Sequence, residues 1–241
     1  MREAGRITAE ALCRIREMIK PGIPTIELDR EAERYIKKQG AELAFKGYRG
    51  FPANICVSLN EEVVHGIPGD RKIKEGDIVS IDIGVRHKNY YADAAITVSV
   101  GAISDTARRL METTRAALET AIQGIKPGGV LSKLSATIQD FVEGRNFSVV
   151  RKYVGHGIGL EMHEDPQVPN YRILPDEQME VVLKPGLVLA IEPMVNEGTH
   201  EVETLSNGWT VVTRDRKLSA HFEHTVAVTE DGYEILTKLP Q

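Results

Sequence analysis

SIDIGVRHKNYYADAA, residues 80–95, has the pattern of two strands joined by a short turn, with an acid on each strand. Asp82 interrupts the apolar run 78–83, which is typical of a buried strand, and Asp93 lies on the returning run. A buried carboxylate without a partner costs several kcal/mol. The two acids therefore require a physical explanation.

The turn decides how these acids face each other. Lys88-Asn89 has the composition of a turn. If the loop is centred between His87 and Lys88, Asp82 pairs directly with Asp93, with their Cβ atoms about 5 Å apart. Such a pair indicates a cation between the carboxylates or a shared proton. The alternatives are a hairpin in which Asp93 faces water and a loop displaced by one residue, and the hairpin alone leaves them open.

Two further acids occupy strand-like positions. AIEPMV places Glu192 where an aliphatic residue is expected, and FEHTVAV begins a strand with Glu223. YVGHGIGLEMHEDP places His156 and His163 in a glycine-rich segment. Taken singly, Glu223 is compatible with a solvated strand end, and a loop histidine is compatible with a structural role.

Taken together, these residues predict a metal site. The carboxylates of Asp82, Asp93, Glu192 and Glu223 carry a charge that two divalent cations would neutralise, and His156 adds a neutral nitrogen. An oxygen-rich set without thiolate suits Mn, Fe, Co or Zn. Two such metals about 3.5–4 Å apart activate water and stabilise both ends of a displacement.

The chain also contains a weak internal repeat. KPGIPTIELDREAERYIKKQG begins at Lys20 and KPGGVLSKLSATIQDFVEGRN begins at Lys126, while EGDIVSID (75–82) resembles PGLVLAIE (185–192). In the second pair Asp82 aligns with Glu192. We therefore expect one domain, residues 1–241, with related halves near 1–104 and 105–241 around a pseudo-twofold axis.

Composition limits the class of protein. The chain has 241 residues, 41% of them hydrophobic, and a net charge of −5 without a basic stripe, so nucleic acid is not an expected partner. Cys13 and Cys56 form no CxxC motif. No apolar run approaches the roughly 20 residues that span a bilayer. We expect a cytoplasmic protein without a membrane partner.

Several catalytic motifs are excluded by the residues present. His163-Glu164 begins like HExxH, but position 167 is Gln. The chain has no G-x-S-x-G and no G-x-x-x-x-G-K-[ST], which argues against a serine hydrolase of that type and against a nucleotide loop.

The two acids eleven residues apart, GHGIG followed by HEDP, IEPMV and EHT together resemble the methionine aminopeptidases of bacterial type I. The resemblance covers nearly the whole chain. It implies the α/β (α+β) pita-bread fold, with pseudo-twofold halves, an antiparallel sheet and helices outside, and a dinuclear metal site. Nothing long is inserted between His163 and Glu192, which argues against type II.

The resemblance also implies roles for individual residues. Asp93 and Glu223 would bridge two metals, Asp82 would bind one of them, and His156 and Glu192 would bind the other. His65 would contact the scissile bond, His163 would bind the substrate carbonyl, and Glu192 would move protons. The implied methionine pocket comprises Phe45, Tyr48, Phe51, Cys56, Met162 and Trp209. Without the resemblance, these six residues are equally compatible with core packing.

The implied reaction is removal of N-terminal methionine from peptides and nascent chains, including chains at the ribosome, with a small second residue preferred, by a monomeric enzyme. Two rivals remain: an Xaa-Pro aminopeptidase or prolidase on the same fold, and a pita-bread binding protein without activity. All five ligand positions are filled here, whereas an inactive relative is expected to have lost ligands.

Overall fold

The computed structural model describes residues 1–173 and 180–238. These residues form four α-helices: α1 (Arg2–Met18), α2 (Thr25–Lys38), α3 (Asp105–Gln123) and α4 (Leu131–Glu143). Each helix is amphipathic and buries one apolar stripe, for example Ile7, Leu12 and Ile15 of α1. The Ser104 hydroxyl accepts a hydrogen bond from the Ala107 amide and so caps the start of α3.

Fifteen strands occur in the same ranges. The first eight are β1 (Glu42–Leu43), β2 (Cys56–Leu59), β3 (Glu62–Val64), β4 (Ile78–His87), β5 (Tyr90–Ser99), β6 (Ser148–Val149), β7 (Gly155–Gly157) and β8 (Glu164–Val168). The remaining seven are β9 (Val188–Ile191), β10 (Met194–Asn196), β11 (Val202–Thr204), β12 (Val211–Thr213), β13 (Ser219–His221), β14 (Glu223–Val228) and β15 (Tyr233–Ile235).

The main sheet has nine strands, and every pairing in it is antiparallel. Its central path runs β1-β4-β5-β14-β9-β7-β8, while β2 pairs with β4 and β15 pairs with β14. Two three-stranded sheets, β13-β10-β6 and β11-β12-β3, complete the strands. Helix α1 packs against β4 and β5, and α3 packs against α4 and β13. The expectation of an antiparallel sheet with helices packed against strands is therefore correct.

Asp82 and Asp93 do not pair directly, and of the alternatives left open by the sequence, the loop displaced by one residue is the one observed. Lys88 and Asn89 both adopt positive φ, 49° and 68°, and form the two-residue turn between His87 and Tyr90. Positive φ at both central residues gives a type I′ turn, whose twist matches that of the flanking strands. The loop is therefore centred between Lys88 and Asn89.

As a consequence, Asp82 lies opposite Ala95, and Asp93 lies opposite Gly84. Side chains alternate between the two faces of a strand, so a displacement of two residues leaves each on its expected face. Asp82 and Asp93 are diagonal neighbours on one face rather than a direct pair.

Two apolar runs that have strand-like sequences are only partly strand in the structure. The run 187–195 is divided into β9 and β10, and the break falls at Glu192-Pro193, where proline has no amide hydrogen for a ladder. The run 147–154 contributes only the two residues of β6. Glu192 therefore follows a strand end, where its side chain is less constrained by the sheet.

The two KPG segments make equivalent hydrogen bonds. The amide of Gly22 donates to the Ile73 carbonyl, and the amide of Gly128 donates to the Leu183 carbonyl, each over 2.8 Å. Isolated bridges join Pro24 to Lys72 and Val130 to Val182 in the same way. The repeated sequence thus corresponds to a repeated local structure.

Within the described ranges, no helix has both the length and the apolar character required to cross a membrane.

Candidate metal centre and substrate cavity

A cavity of about 150 Å³ opens over one face of the main sheet. Its wall combines acids, histidines and aromatic residues: Phe45, Tyr48, Arg49, Phe51, Cys56, His65, Asp82, Asp93, His156, His163, Glu192, Trp209 and Glu223. The structure therefore brings together all of the sequence-predicted site residues except Met162.

The central strands deliver the acids to this cavity. β5 lies between β4 and β14. Its residue Ala95 pairs with Asp82 of β4 on one side and with Glu223 of β14 on the other. β7 pairs with β9 so that His156 lies opposite Ala190, two residues before Glu192. Strands distant in sequence thus place their polar residues on one patch of the sheet.

Three of these side chains converge on one point. One potential ligand atom from each of Asp93, His156 and Glu223 lies within 4.8 Å of the other two. All three residues are buried. Glu192 adjoins this group, since its Oε1 is 3.7 Å from His156 Nε2.

Buried carboxylate oxygens without partners mark the same point. Asp82 Oδ1, Asp93 Oδ1 and Glu223 Oε1 are buried and have no hydrogen-bond partner among the described residues. Native proteins rarely leave buried polar atoms unpaired, and an ion is one of the accepted explanations. Cations bound among these carboxylates would supply the missing partners.

The pKa values of the four acids are raised, as expected for carboxylates that lack a counter-charge. Burial, followed by the charges of Asp93 and Glu192, raises the pKa of Asp82 well above its ordinary value. Burial raises the pKa of Asp93 to about 7, although hydrogen bonds from Asp82 and from the Ala94 amide oppose the shift. Burial and the neighbouring acids also raise the pKa of Glu192 and of Glu223. Without a counter-charge, the protein cannot keep all four groups ionised at neutral pH.

His156 is prepared as a neutral ligand. Its Nδ1 lies 2.8 Å from the Gly157 carbonyl oxygen, which accepts a hydrogen bond from the ring. The other nitrogen, Nε2, then carries a lone pair toward the acids. Burial lowers the pKa of His156, which favours this neutral form. The donor set of carboxylate oxygens and one imidazole nitrogen therefore fits a divalent metal.

Thr225 fixes the backbone beneath Asp93. Its hydroxyl accepts a hydrogen bond from the Asp93 amide over 2.9 Å and donates to the Asp93 carbonyl over 2.7 Å. The Thr225 amide in turn donates to the Thr237 hydroxyl. These bonds hold the carboxylate at a defined height above the sheet.

Two further histidines line the cavity. His163 stands at its mouth, with Nδ1 2.9 Å from the Tyr48 hydroxyl and its ring centre 4.1 Å from that of His156. Burial against this wall, together with His156, lowers the pKa of His163. His65 adopts φ 60°, which is uncommon outside glycine and is concentrated at functional sites.

The aromatic wall is a connected set of rings. Phe51 meets Phe45 and Trp209 edge-on at 6.4 and 5.2 Å between centroids, and Cys56 packs in the same cluster. Cys56 also lies opposite Asp82 across β2 and β4. Burial raises the pKa of the Cys56 thiol well above its ordinary value, so this residue contributes apolar surface rather than a thiolate.

Met162 is not among the residues that line the cavity. It is fully buried in a cluster that contains Phe45, Tyr48 and Ile158. It therefore packs with two residues of the aromatic wall.

Two site residues escaped the sequence analysis. Arg49 lines the cavity with φ 49°, and its guanidinium lies 5.4 Å from the Tyr48 ring centre. His221 Nε2 lies 3.7 Å from Glu192 Oε2. The histidine precedes Glu223 by two residues, but its contact with Glu192 depends on strand pairing that the sequence does not display.

Comparison with known proteins agrees with this geometry. The model of metallopeptidase family M24 matches residues 1–230. The chain belongs to family M24. Methionine aminopeptidase 1 of Bacillus subtilis is 56% identical over 239 residues, covering 99% of this chain and 95% of that protein.

Solved structures of family M24 share the fold. The crystal structure of methionine aminopeptidase from Thermotoga maritima superimposes with a TM-score of 0.95 at 48% identity, covering 99% of this chain and 95% of the other. Prolidase from Pyrococcus furiosus gives a TM-score of 0.78 at 26% identity, and this chain covers 63% of it. The predicted pita-bread fold and family are confirmed.

Proposed function

We propose that this protein is a methionyl aminopeptidase, a metal-dependent hydrolase that removes N-terminal methionine from peptides and nascent chains. The observation that carries the proposal is a set of four carboxylates on the wall of an aromatic cavity, of which Asp93 and Glu223 are buried and Asp82 and Glu192 are partly buried. High identity to methionine aminopeptidase over nearly the full length supports the same conclusion.

The metal site we propose holds two divalent ions, of Co, Mn, Fe or Zn. The ligands would be Asp82, Asp93, His156, Glu192 and Glu223, with Asp93 and Glu223 shared between the ions. When bound, the metals supply Lewis acidity and lower the pKa of water toward about 7. The four carboxylates would then be ionised together, which burial alone opposes.

Three side chains would carry out proton transfer and bind the reacting groups of the substrate. Glu192, at the edge of the acidic group, accepts the proton of the attacking water and passes it to the departing amine. His163 donates a hydrogen bond from Nε2 to the methionyl carbonyl oxygen as negative charge develops there. His65, at the far side of the cavity, steadies the amide nitrogen as it leaves.

The aromatic wall would select the substrate. Phe45, Tyr48, Phe51, Cys56 and Trp209 would enclose the methionine side chain, with Met162 packed with Phe45 and Tyr48. A thioether packs well against ring edges, where sulfur–aromatic contacts contribute about 0.3–1.5 kcal/mol. Preference for a small second residue is part of this proposal.

We further propose that residues 1–241 form a single catalytic domain with halves near 1–104 and 105–241, and that it acts as a monomer in the cytoplasm. The equivalent hydrogen bonds of the two KPG segments support the division into halves. Substrates presented at the ribosome are included in this proposal.

The test compares Met-Gly-Met with an Ala-Pro peptide of equal length after metal removal and Mn²⁺ addition. We expect methionine release that depends on Mn²⁺ and little cleavage of the Ala-Pro bond. Preferential cleavage of the Ala-Pro peptide would identify a prolidase-like enzyme. Absence of both Mn²⁺ binding and cleavage would identify an inactive binding protein.

A further inference from the structure

His221 lies directly behind the acidic group. It ends β13, which pairs with β10 so that His221 faces Met194, two residues beyond Glu192. Its side chain is only 2% exposed, and its Nε2 is 3.7 Å from Glu192 Oε2. That nitrogen has no hydrogen-bond partner among the described residues.

The His221 backbone is held on both sides by Thr97. The Thr97 hydroxyl accepts a hydrogen bond from the His221 amide over 2.9 Å and donates to the His221 carbonyl over 2.8 Å. Ser80 lies 2.8 Å from the same hydroxyl on the neighbouring strand. These bonds fix the backbone of His221 on the sheet, and its buried imidazole places Nε2 on the side of Glu192.

Two imidazoles thus flank one carboxylate. His156 Nε2 is 3.7 Å from Glu192 Oε1, and His221 Nε2 is 3.7 Å from Oε2. Their chemistry differs, because the Gly157 carbonyl holds a proton on His156 Nδ1 and leaves Nε2 as a lone pair. His221 has no comparable reason to present a lone pair to an anion.

We propose that His221 is a positioning residue whose Nε2–H donates to Glu192 Oε2 once the carboxylate moves from the observed 3.7 Å into hydrogen-bond range. That bond would fix the carboxylate plane and leave Oε1, beside His156, available to a metal. Without this bond, the buried Nε2 would have lost its hydrogen bond to water and gained nothing in return, which costs free energy. An apolar side chain could fill the same space without that cost. The inference rests on the metal site proposed above.

The test compares His221→Leu with His221→Gln in the full chain. Mn²⁺ affinity of the metal-free protein is measured by titration calorimetry, and Met-Gly-Met hydrolysis is measured at saturating Mn²⁺. We expect His221→Leu to weaken Mn²⁺ binding by about 10–100-fold and to lower kcat with little change in KM. His221→Gln should retain affinity within about threefold, because its amide N–H can replace the Nε2 donor.

Three results would overturn the inference. Wild-type affinity and kcat in a folded His221→Leu protein would show that no donor is needed. Equal loss in both variants, with equally lowered thermal stability of the metal-free proteins, would show that His221 only fills space. Absence of Mn²⁺ binding and cleavage in the wild type would reject the metal site itself, and with it this role.

Discussion

Tyr48 and His163 are joined in two ways: the phenol oxygen lies 2.9 Å from Nδ1, and the two rings stack with centroids 5.2 Å apart. If the hydroxyl donates to Nδ1, the imidazole proton must sit on Nε2, the nitrogen that remains free to face the cavity. In that arrangement Tyr48 selects the tautomer that could donate to a substrate carbonyl, in addition to forming part of the aromatic wall.

The first prediction separates these two contributions of Tyr48. Tyr48→Phe keeps the stacked ring but removes the hydroxyl, so we expect kcat for Met-Gly-Met to fall by about tenfold with KM nearly unchanged. His163→Ala removes the donor itself and should lower kcat by about 10²–10³-fold. Steady-state kinetics of both variants provides the measurement.

The outcome that would contradict this interpretation is an increase confined to KM in either variant. Such a result would mean that His163 and Tyr48 only hold the substrate and do not stabilise developing charge.

The second prediction concerns the acid at the centre of the group. Asp93→Asn is nearly isosteric but removes one charge from the proposed bridge, so we expect Mn²⁺-dependent cleavage to fall by more than about 10²-fold, beyond the loss typical of outer-shell residues. The fold should survive, because Thr225 bonds the backbone of residue 93 and not its carboxylate. Asp70→Asn, an exposed acid, is the matched control. Near-normal turnover in the Asp93 variant would refute the assignment.

The third prediction is a pH dependence of stability in the metal-free protein. Burial raises the folded-state pKa of Asp93 to about 7 from an ordinary 3.8. The unfolded chain then ionises first, so stability is greatest below the ordinary value and is lost as pH rises through about 7. Asp82, Glu192 and Glu223 act in the same direction.

Buried histidines oppose this trend and must be separated from it. Burial lowers the pKa of His221 to about 3 and that of His224 to about 4. Their contribution is present above the ordinary 6.5 and is lost as pH falls. The comparison is therefore between metal-free wild type and metal-free Asp93→Asn, which share these histidines.

We expect the wild-type Tm to fall relative to that of Asp93→Asn between pH 5 and pH 8, by roughly 2–4 °C per kcal/mol of ionisation penalty. Saturating Mn²⁺ at pH 8 should reverse the order, because metal binds the folded wild type more tightly. Differential scanning calorimetry provides the Tm values. Parallel Tm curves for the two metal-free proteins would show that Asp93 carries no such penalty.

The acids were predictable from sequence because each lies within or at the end of an apolar strand-like run, and a strand fixes which face a residue occupies. The register between strands was less accessible. The register depends on whether the turn is centred between residues 87 and 88 or between residues 88 and 89. The positive φ angles of Lys88 and Asn89 decide this, and the sequence does not display them. The site survived the error because the displacement of two residues preserves faces.

Contacts between strands that are distant in sequence could not be predicted from local sequence patterns. His221 is a polar residue beside an apolar strand start, and only the pairing of β10 with β13 brings it to Glu192. Arg49 occupies a tight turn at the cavity wall and has no sequence signal beyond its charge. The family resemblance named six pocket residues, and five of them line the cavity, but the packing of Met162 with Phe45 and Tyr48 is visible only in the structure.

The last prediction concerns Gly84, the partner of Asp93 in the hairpin. A Cβ at position 84 would lie 2.5 Å from Phe45 Cε1 and 2.9 Å from Ala44 Cβ, so Gly84→Ala must displace the Phe45 ring from the cavity wall. We expect KM for Met-Gly-Met to rise more than kcat falls, with a loss of about 1–3 kcal/mol in the free energy of unfolding from overpacking. Gly69→Ala is the control, because a Cβ there has no atom within 4 Å. Steady-state kinetics and urea denaturation of both variants measure the two effects, and an unchanged KM in a destabilised Gly84→Ala protein would show that Phe45 does not shape the methionine pocket.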